Sequence, residues 1–457
     1  MANAPVDYGH PAGLYLYMNY NKDNPAGQSN YSSRQGAEPL QPISTQVDGP
    51  NTLLTGQPKK VATSRGAAIE LCCGMGGMGV GLRELGFDVL QAYDIWDTAV
   101  SIYNHNHEHG AALQCNLLTA AGRKLVSDGR KRIDDLELLA AGPPCKGFSQ
   151  LRNGFHDGRN GHNRVLKVMP AYIAMLRPRM FLIENVPALL SHREGKTFGA
   201  ILVALAKPVE RLNYRVEFGV YDAAASGTPQ ARKRLLIFGV REDSGNERLP
   251  DPGPDLAPLF AAIRHSGPVP ERFRSYHDML LDPHVMALTT ARQALSDLPT
   301  LGAGEMKEGL RYASMPKSSY QSWVRLGAPV LISDTRTPAI TDATLKRLQH
   351  VSPGGCANSI PDEHLNGLAR RYGSAYRRLH PNAPSTALST KYDCAYHFDQ
   401  DRSLSVREYA RLQGIPDRVT FPKELTSRRS AYELIGNSVP PLLIKHVLGQ
   451  TLHAGGS

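Results

Sequence analysis

From Gly66 onward, short apolar runs alternate with segments whose apolar residues recur at helical spacing. The apolar runs AAIEL, FDVLQAYD, LELLAAG and MFLIENV have the length of buried strands. GVGLRELG, TAVSIYNHN and VLKVMPAYIAMLRP are the helical segments between them. Apolar strands separated by helices are typical of a parallel sheet that is covered on both faces. We therefore predict a doubly wound, Rossmann-like α/β domain over residues 66–241, ending in two further strands around a Gly-Thr-Pro turn.

The pattern on either side of this domain is different. Residues 1–65 are rich in Asn, Gln, Ser, Gly and Pro and have no apolar period, which predicts a disordered polar leader. Residues 242–400 carry many Pro, Gly and Asp residues and predict a smaller, loop-rich inserted domain. Helical patterns return within residues 401–457, at LSVREYARLQG and AYELIGNSVPP. We expect this last segment to rejoin the α/β domain.

Composition limits the class of protein. The chain has 457 residues, of which 41% are hydrophobic, so it can bury more than one structural unit. No apolar run approaches the ~18 residues of a membrane span, and the N-terminus lacks a positively charged start followed by an apolar stretch, so we expect a cytosolic protein, nucleoid-associated in a bacterium. The 6 scattered cysteines form no C-x-x-C pair and predict neither zinc nor disulfides. The formal charge of +10 suits a polyanion such as nucleic acid.

A glycine-rich turn follows the first predicted strand. The stretch ELCCGMGGMGVG places glycines where the backbone can approach a ligand without interference from a β-carbon. The next strand ends in Asp94, whose carboxylate can accept hydrogen bonds from ribose hydroxyls. This pairing predicts an adenosine-bearing cofactor and leaves NAD and S-adenosylmethionine both open.

Reactive side chains follow other predicted strands. AAGPPCKGFSQ holds Cys145 on backbone that two prolines restrict, and FLIENVPALL places Glu184 at an apolar strand end, where desolvation raises a carboxyl pKa. QARKR places Arg232 and Arg234 on one face of an extended segment. Taken singly, these residues suit a buried thiol, a salt-bridge carboxylate and a solvated basic edge.

Taken together, the thiol and the carboxyl suit one reaction. Cytosine is electron-poor at carbon 6, so the Cys145 thiolate can add there if Glu184, protonated and bonded to ring nitrogen 3, offsets the developing charge. Carbon 5 then becomes nucleophilic enough to accept a methyl group. A base inside a duplex is inaccessible to this chemistry and must be flipped into the pocket.

The motifs, in this order, resemble those of the DNA cytosine-5 methyltransferases from about Ala67 to the C-terminus. ELCCGMGGMGVG resembles the cofactor loop, PPCKGFS the nucleophile motif, ENV the acid motif and QARKR the arginine motif. RSLSVREYARLQGIPD and GNSVPP resemble the two closing motifs. Because PPC, ENV, QxRxR and GNSVPP occur together in this order, the resemblance is far more specific than any one of these four motifs.

The resemblance implies a role for each matching residue. Cys145 would be the nucleophile and Glu184 the acid, with Arg232 and Arg234 organising a flipped cytosine. Residues 242–400 would form the target-recognition domain, double-stranded DNA would be the partner, and the enzyme would act as a monomer without a metal ion. S-adenosylmethionine would be the cofactor, surrounded by Cys72, Cys73, Gly74, Met75, Gly76, Asp94, Ile95, Asn116, Pro144, Asn437 and Ser438.

Two positions depart from the family pattern. Lys146 stands where the family usually has Gln, and its charge would favour the neighbouring thiolate. Asn116 stands where the family usually has Asp bonded to the adenine amino group, and its carbonyl can accept that bond without charge assistance. We expect an altered rate and a weaker cofactor affinity rather than loss of activity.

Three alternatives remain at this stage. A tRNA cytosine-5 methyltransferase shares the catalytic motifs, but the Cys-Phe-Thr tripeptide typical of that branch is absent from the sequence. A catalytically silent DNA-binding relative would keep the fold without needing a reactive thiol. An NAD enzyme built on the glycine loop would give Cys145 and Glu184 no role. A restriction-modification enzyme, a phage enzyme and a solitary regulatory enzyme would all carry these motifs.

Overall fold

The computed structural model describes residues 64–107, 112–144, 162–252, 256, 288–365 and 375–454. The predicted nucleophile Cys145, its neighbour Lys146 and nearly all of the predicted leader 1–65 lie outside these described residues. None of the helices within them is long and apolar enough to cross a membrane.

A seven-stranded sheet forms the centre of the described chain, with the strand order β3-β2-β1-β4-β5-β8-β6. Strands β7 and β9 pair with each other in a separate two-stranded sheet. The strands are β1 (Ala67–Leu71), β2 (Asp88–Asp94), β3 (Ala112–Gln114), β4 (Leu136–Ala141), β5 (Met180–Asn185), β6 (Tyr214–Asp222), β7 (Gln230–Ala231), β8 (Lys233–Arg241) and β9 (Ser385–Thr386).

The α-helices fall into two groups. Five lie between or beside the sheet strands, namely α1 (Gly77–Glu84), α2 (Asp97–Asn106), α3 (Ala120–Arg130), α4 (His162–Leu176) and α5 (Lys196–Ala206). The others follow β8, namely α6 (Ala291–Leu295), α7 (Ser319–Val324), α8 (Asp342–Leu348), α9 (Asp362–Leu365), α10 (Val406–Leu412), α11 (Arg428–Asn437) and α12 (Pro441–Ala454). Single 3-10 turns cover Pro187–Leu189, Ala223–Ser226, Ala357–Ser359 and Tyr392–Cys394.

The first five strands are parallel, as their continuous apolar sequences predict. β5 is buried along its whole length, because helices and loops cover both faces of the sheet. The chain moves outward from β1 to β3 and then returns to place β4 on the other side of β1. In such sheets a crevice forms at the carboxyl ends of the strands on either side of this reversal. The predicted doubly wound α/β fold is confirmed.

β8 runs antiparallel between β5 and β6, an orientation that the sequence pattern did not predict. The link between β6 and β8 is confined to residues 223–232, which include the turn Ala223–Ser226 and the two residues of β7. A parallel return requires a crossover of a dozen or more residues, usually a helix, and this link is too short for one. The Gly-Thr-Pro turn was correctly predicted between two strands.

The apolar core crosses the predicted domain boundaries. One cluster combines Met75 and Ile102, beside the first helices, with Leu295, Tyr320 and Leu412. Residues from the segments 66–241, 242–400 and 401–457 therefore contribute to one apolar cluster. The predicted extent of a target-recognition domain, residues 242–400, stays a prediction.

Candidate active site

The loop between β1 and α1 turns sharply at the carboxyl end of β1. Cys72, Gly74 and Gly76 have φ angles of 53°, 54° and 91°, a region that favours glycine. The Gly74 amide donates to Asp94 Oδ2 at 2.8 Å, and the Trp96 amide donates to Asp94 Oδ1 at 2.9 Å. Burial raises the pKa of Asp94, although these amides partly offset the shift. Asp94 therefore holds the glycine loop against the end of β2.

The glycines of this motif have different neighbours. A β-carbon at Gly74 would meet no atom within 4 Å, so the loop faces open space there. A β-carbon at Gly77 would overlap Ser438 Oγ and lie 2.5 Å from Val439 O. At Gly81 it would lie 2.6 Å from Pro441 O. The predicted approach of glycine backbone to a ligand stays a prediction, for which Gly74 leaves space, whereas Gly77 and Gly81 let the C-terminal segment pack on α1.

Several other predicted cofactor residues belong to this loop. The side chains of Cys73 and Met75 lie in apolar clusters. The Cys73 backbone is paired within the protein, because its amide donates to the Tyr93 carbonyl at 3.1 Å and its carbonyl accepts from the Gly76 amide at 2.9 Å. Gly76 is also buried, with Tyr103 2.9 Å from the position of a β-carbon. Burial raises the pKa of the Cys72 thiol well above its ordinary value, which keeps it neutral.

The remaining predicted cofactor residues differ in exposure. Ile95 is 62% exposed directly after β2, an unusual position for a large apolar side chain. Asn116 is exposed beyond the end of β3, and its Oδ1 accepts a hydrogen bond from the Leu118 amide at 3.0 Å. Asn437 is exposed at the end of α11, while Pro144 is half-buried and Ser438 buried. The exposed groups are available to a ligand at this edge of the sheet.

Glu184 is buried at the carboxyl end of β5, as its motif predicts. Arg234 on the adjacent strand β8 places Nε 2.6 Å from Glu184 Oε1. Burial raises the pKa of Glu184, and the cations Arg234 and Arg232 oppose the shift without cancelling it. The site thus holds a carboxyl group with an increased tendency to keep its proton.

Asn185 connects this strand to the loop that leads to Cys145. Its Nδ2 donates to the Pro143 carbonyl at 3.3 Å, and its Oδ1 accepts from the Val186 amide at 2.9 Å. The side chain is only 1% exposed. Asn185 therefore fixes the backbone at Pro143, the first residue of the PPC motif, a role that its place beside Glu184 in the ENV motif signals in the sequence.

The two arginines of QARKR have different partners. Arg234 contacts Glu184, whereas Arg232 is buried and donates from Nη1 to the Leu388 carbonyl at 2.8 Å and from Nη2 to the Gly436 carbonyl at 2.5 Å. Arg232 therefore joins the arginine motif to two distant segments of the chain. Its predicted contact with a flipped cytosine stays a prediction.

Helix α10 carries a buried ionic network that we did not predict. All of its residues are buried, including Arg407, Glu408 and Arg411. Arg411 pairs with Asp297 and also, from Nη2 at 2.6 Å, with Asp417 Oδ2. Charged residues within an otherwise apolar helical pattern were the signal in the sequence. The network attaches the loop-rich segment that contains Asp297 to the closing motif.

Among the described residues, no group of three or more His, Cys, Asp and Glu side chains could hold a metal ion. Of the predicted residues that the structure describes, Gly74, Asp94, Pro144 and Glu184 lie at or just beyond the carboxyl ends of β1, β2, β4 and β5. The contacts Gly74–Asp94, Pro143–Asn185 and Glu184–Arg234 join β1 to β2, β4 to β5 and β5 to β8 at this edge of the sheet.

Comparison with known proteins identifies the family. The chain is 28% identical over 432 residues to the type II methyltransferase M.AgeI of Thalassovita gelatinovora, covering 82% of this chain and 96% of that protein. It is 27% identical over 384 residues to the type II methyltransferase M1.HphI of Haemophilus parahaemolyticus, covering 83% and 84%.

The fold is also found among solved structures. A prophage-encoded E. coli protein, described as a DNA modification methyltransferase, superposes with a TM-score of 0.63 at 21% identity, covering 85% of this chain and 98% of that one. The family model for C-5 cytosine-specific DNA methylases matches residues 66–453. The chain therefore belongs to the C-5 cytosine-specific DNA methylase family, as its motifs predict.

Proposed function

We propose that this protein transfers a methyl group from S-adenosylmethionine to carbon 5 of a cytosine in a specific sequence of double-stranded DNA, acting as a monomer through a covalent Cys145 adduct. The observation that carries the proposal is the buried Glu184 carboxyl at the end of β5, with Arg234 Nε 2.6 Å away. A cytosine reaches such a group only when it is flipped out of the duplex.

The fit of the cofactor is supported by the loop after β1. Gly74 leaves open space where a β-carbon would stand, and Asp94 fixes the loop that frames this space. Ile95 and Asn437 present exposed side chains to a ligand at the same edge. When bound, S-adenosylmethionine supplies an electrophilic methyl group.

Glu184 acts on the pyrimidine ring. Burial favours its protonated form, which can donate a hydrogen bond to ring nitrogen 3. Arg234 binds the other side of the same carboxyl group and holds it in one orientation. As negative charge develops on the ring, proton donation from Glu184 stabilises it.

Cys145, which follows Pro143 and Pro144, supplies the covalent step in this proposal. Its thiolate forms a bond to carbon 6, and the electron pair of the carbon 5–carbon 6 double bond makes carbon 5 nucleophilic. After carbon 5 has gained the methyl group, its proton leaves to a base and the carbon–sulfur bond breaks. These two events restore the aromatic ring and the free thiolate.

A trapping experiment tests this proposal. In DNA that contains 5-fluorocytosine, a fluorine atom stands in place of the hydrogen at carbon 5. Because fluorine cannot leave as a proton does, the covalent adduct is not resolved. With S-adenosylmethionine present, the wild-type protein should form an adduct with this DNA that survives denaturing electrophoresis. The Cys145→Ser variant should form none. An adduct that persists in the variant would contradict the assignment of the nucleophile. The same experiment is run with tRNA containing 5-fluorocytosine, and an adduct with this tRNA but not with the DNA would contradict the assignment of the substrate.

A further inference from the structure

Two buried glutamines lie outside the catalytic residues described above. Gln230 forms part of β7, and Gln413 follows the last residue of α10. Both side chains are fully buried. Gln230 Nε2 donates to Gln413 Oε1 at 2.6 Å, so the two amides form a direct pair in the interior.

The orientation of the Gln230 amide is fixed by its neighbours. Its Oε1 accepts from the Leu388 amide at 3.0 Å and from Arg232 Nη1 at 3.3 Å. Its Nε2 donates to the Leu412 carbonyl at 3.2 Å as well as to Gln413. Two donors therefore face Oε1 of Gln230, and two acceptors face its Nε2. Exchanging the oxygen and the nitrogen of this amide would break all four hydrogen bonds.

The direction of the first amide sets that of the second. Gln413 must offer its oxygen to Gln230, and its Nε2 therefore donates to the Ser438 carbonyl, at 2.5 Å. Ser438 in turn lies against Gly77, the first residue of α1, where no β-carbon could fit. A directed chain of hydrogen bonds therefore runs from Leu388 through Gln230 and Gln413 to the segment that packs on the glycine loop.

We propose that Gln413 is a positioning residue for the cofactor site. By holding the Ser438 carbonyl, it keeps Asn437 and Ser438 in place against α1, and through Gln230 it ties that position to Leu388. Because Leu388 lies within the loop-rich segment 242–400, this chain of hydrogen bonds joins the predicted DNA-reading part of the protein to the cofactor crevice. The inference rests on the proposed function, since it assigns the crevice to S-adenosylmethionine.

The variant Gln413→Met tests the inference, because Met has a similar volume and cannot form either hydrogen bond. The full chain is used, and binding of labelled S-adenosylmethionine is measured by equilibrium dialysis. We expect the Kd to rise about tenfold, as for a lost hydrogen bond worth ~1.4 kcal/mol. In methylation assays, KM for the cofactor should rise while kcat at saturating cofactor stays near that of the wild type.

Gln321→Met is the matched control. Gln321 is also fully buried, and it bonds to Ser296 Oγ and to the Lys317 amide rather than to the closing segment. Both variants should lose a similar amount of thermal stability, but only Gln413→Met should weaken cofactor binding. An unchanged Kd in folded Gln413→Met, or an equal loss in Gln321→Met, would overturn the inference.

A second variant covers the case in which Gln413→Met does not fold. Gln230→Met keeps the bond from Gln413 to Ser438 but removes the restraint on the Gln413 amide, so the Kd should rise by a smaller factor, about threefold. An unchanged Kd in Gln230→Met would then count against the inference. Failure of the wild-type protein to bind S-adenosylmethionine at all would instead contradict the proposed function, and the inference with it.

Discussion

Arg234 on β8 and Glu184 on β5 are joined across two antiparallel strands, with Arg234 Nε 2.6 Å from Glu184 Oε1. The pair combines opposite influences on one carboxyl group. Burial raises the pKa of Glu184, and the guanidinium opposes that rise. The net shift is upward, so Glu184 keeps its proton to a higher pH than an exposed glutamate does.

The first prediction concerns the pH profile. If protonated Glu184 is the acid, the methylation rate falls as pH rises through its raised pKa. Arg234→Met removes a cation that lowers this pKa, so the fall should move to higher pH. The measurement is kcat/KM for DNA against pH in both proteins. Arg248→Met is the control, because it removes an exposed cation that is paired with the half-buried Glu217. If the rate of Arg234→Met falls at the same pH as that of the wild type, or at a lower pH, this result would count against Glu184 as the acid.

The second prediction concerns the carboxyl group itself. Glu184→Gln should reduce kcat about 10²- to 10⁴-fold, the usual contribution of a general acid, while the Kd for S-adenosylmethionine stays near the wild-type value. Glu137→Gln is the control, because Glu137, on β4, is a partly buried carboxylate that pairs with Arg179. Equal rates in the two variants would show that the Glu184 carboxyl has no part in the chemistry.

The third prediction concerns the network around α10. Arg411 is fully buried between Asp297 and Asp417, so Arg411→Met leaves two buried carboxylates without their main cation. We expect the free energy of unfolding in urea to fall by about 3–5 kcal/mol. Asp128→Asn, at an exposed pair with Lys124, should leave the urea midpoint nearly unchanged. A similar small effect in Arg411→Met would show that the network adds little to stability.

The same network should make stability depend on pH. Burial opposes ionisation of Asp417, but Arg411 and Arg407 outweigh it and hold the pKa of Asp417 below its ordinary value. A lowered pKa in the folded state means that Asp417 stabilises the fold fully above its unfolded pKa. This contribution is lost as the pH falls through the folded pKa. In Arg411→Met, the urea midpoint should therefore decline less steeply on acidification than in the wild type. An equally steep decline would show that the Arg411–Asp417 pair is not the source of the pH dependence.

The fourth prediction compares two glycines in helices. Gly77→Ala places a β-carbon on Ser438 Oγ and should destabilise the protein by about 1–3 kcal/mol, because the closing segment must move. Gly199→Ala fills open space in the exposed part of α5 and should stabilise it by about 0.5–1 kcal/mol. Thermal unfolding measures both. If Gly77→Ala unfolds at the same temperature as the wild type, this result would contradict the tight packing of Ser438 on α1.

Much of this architecture could be predicted from local pattern. β2, which ends at Asp94, and β5, which ends one residue after Glu184, were predicted from short apolar runs, and burial of the Glu184 carboxyl group followed from its place near an apolar strand end. Arg234, the partner of Glu184, was also predicted as a site residue, but its contact with Glu184 was not predicted. Pairing of β5 with β8 is a property of sheet topology, and the antiparallel return of β8 depends on the short link after β6.

Long-range contacts could not be predicted in the same way. Arg232 bonds to Leu388 and Gly436, which lie 156 and 204 positions along the chain. Gln413 and Gln230 are separated by 183 positions and have no spacing signal in the sequence. The packing role of Gly77 likewise depends on Ser438 at the far end of the chain. Only the assembled fold brings these residues together.

The most direct test of the account is transfer of labelled methyl from S-adenosylmethionine to unmethylated double-stranded DNA, with tRNA in parallel and Cys145→Ser as the paired variant. Bisulfite sequencing then locates any modified cytosine. The account predicts label in DNA at cytosines of one short recurrent sequence, none in tRNA, and none with Cys145→Ser, which still binds the cofactor. Label in tRNA alone, no label in either nucleic acid, or wild-type turnover by Cys145→Ser would contradict it.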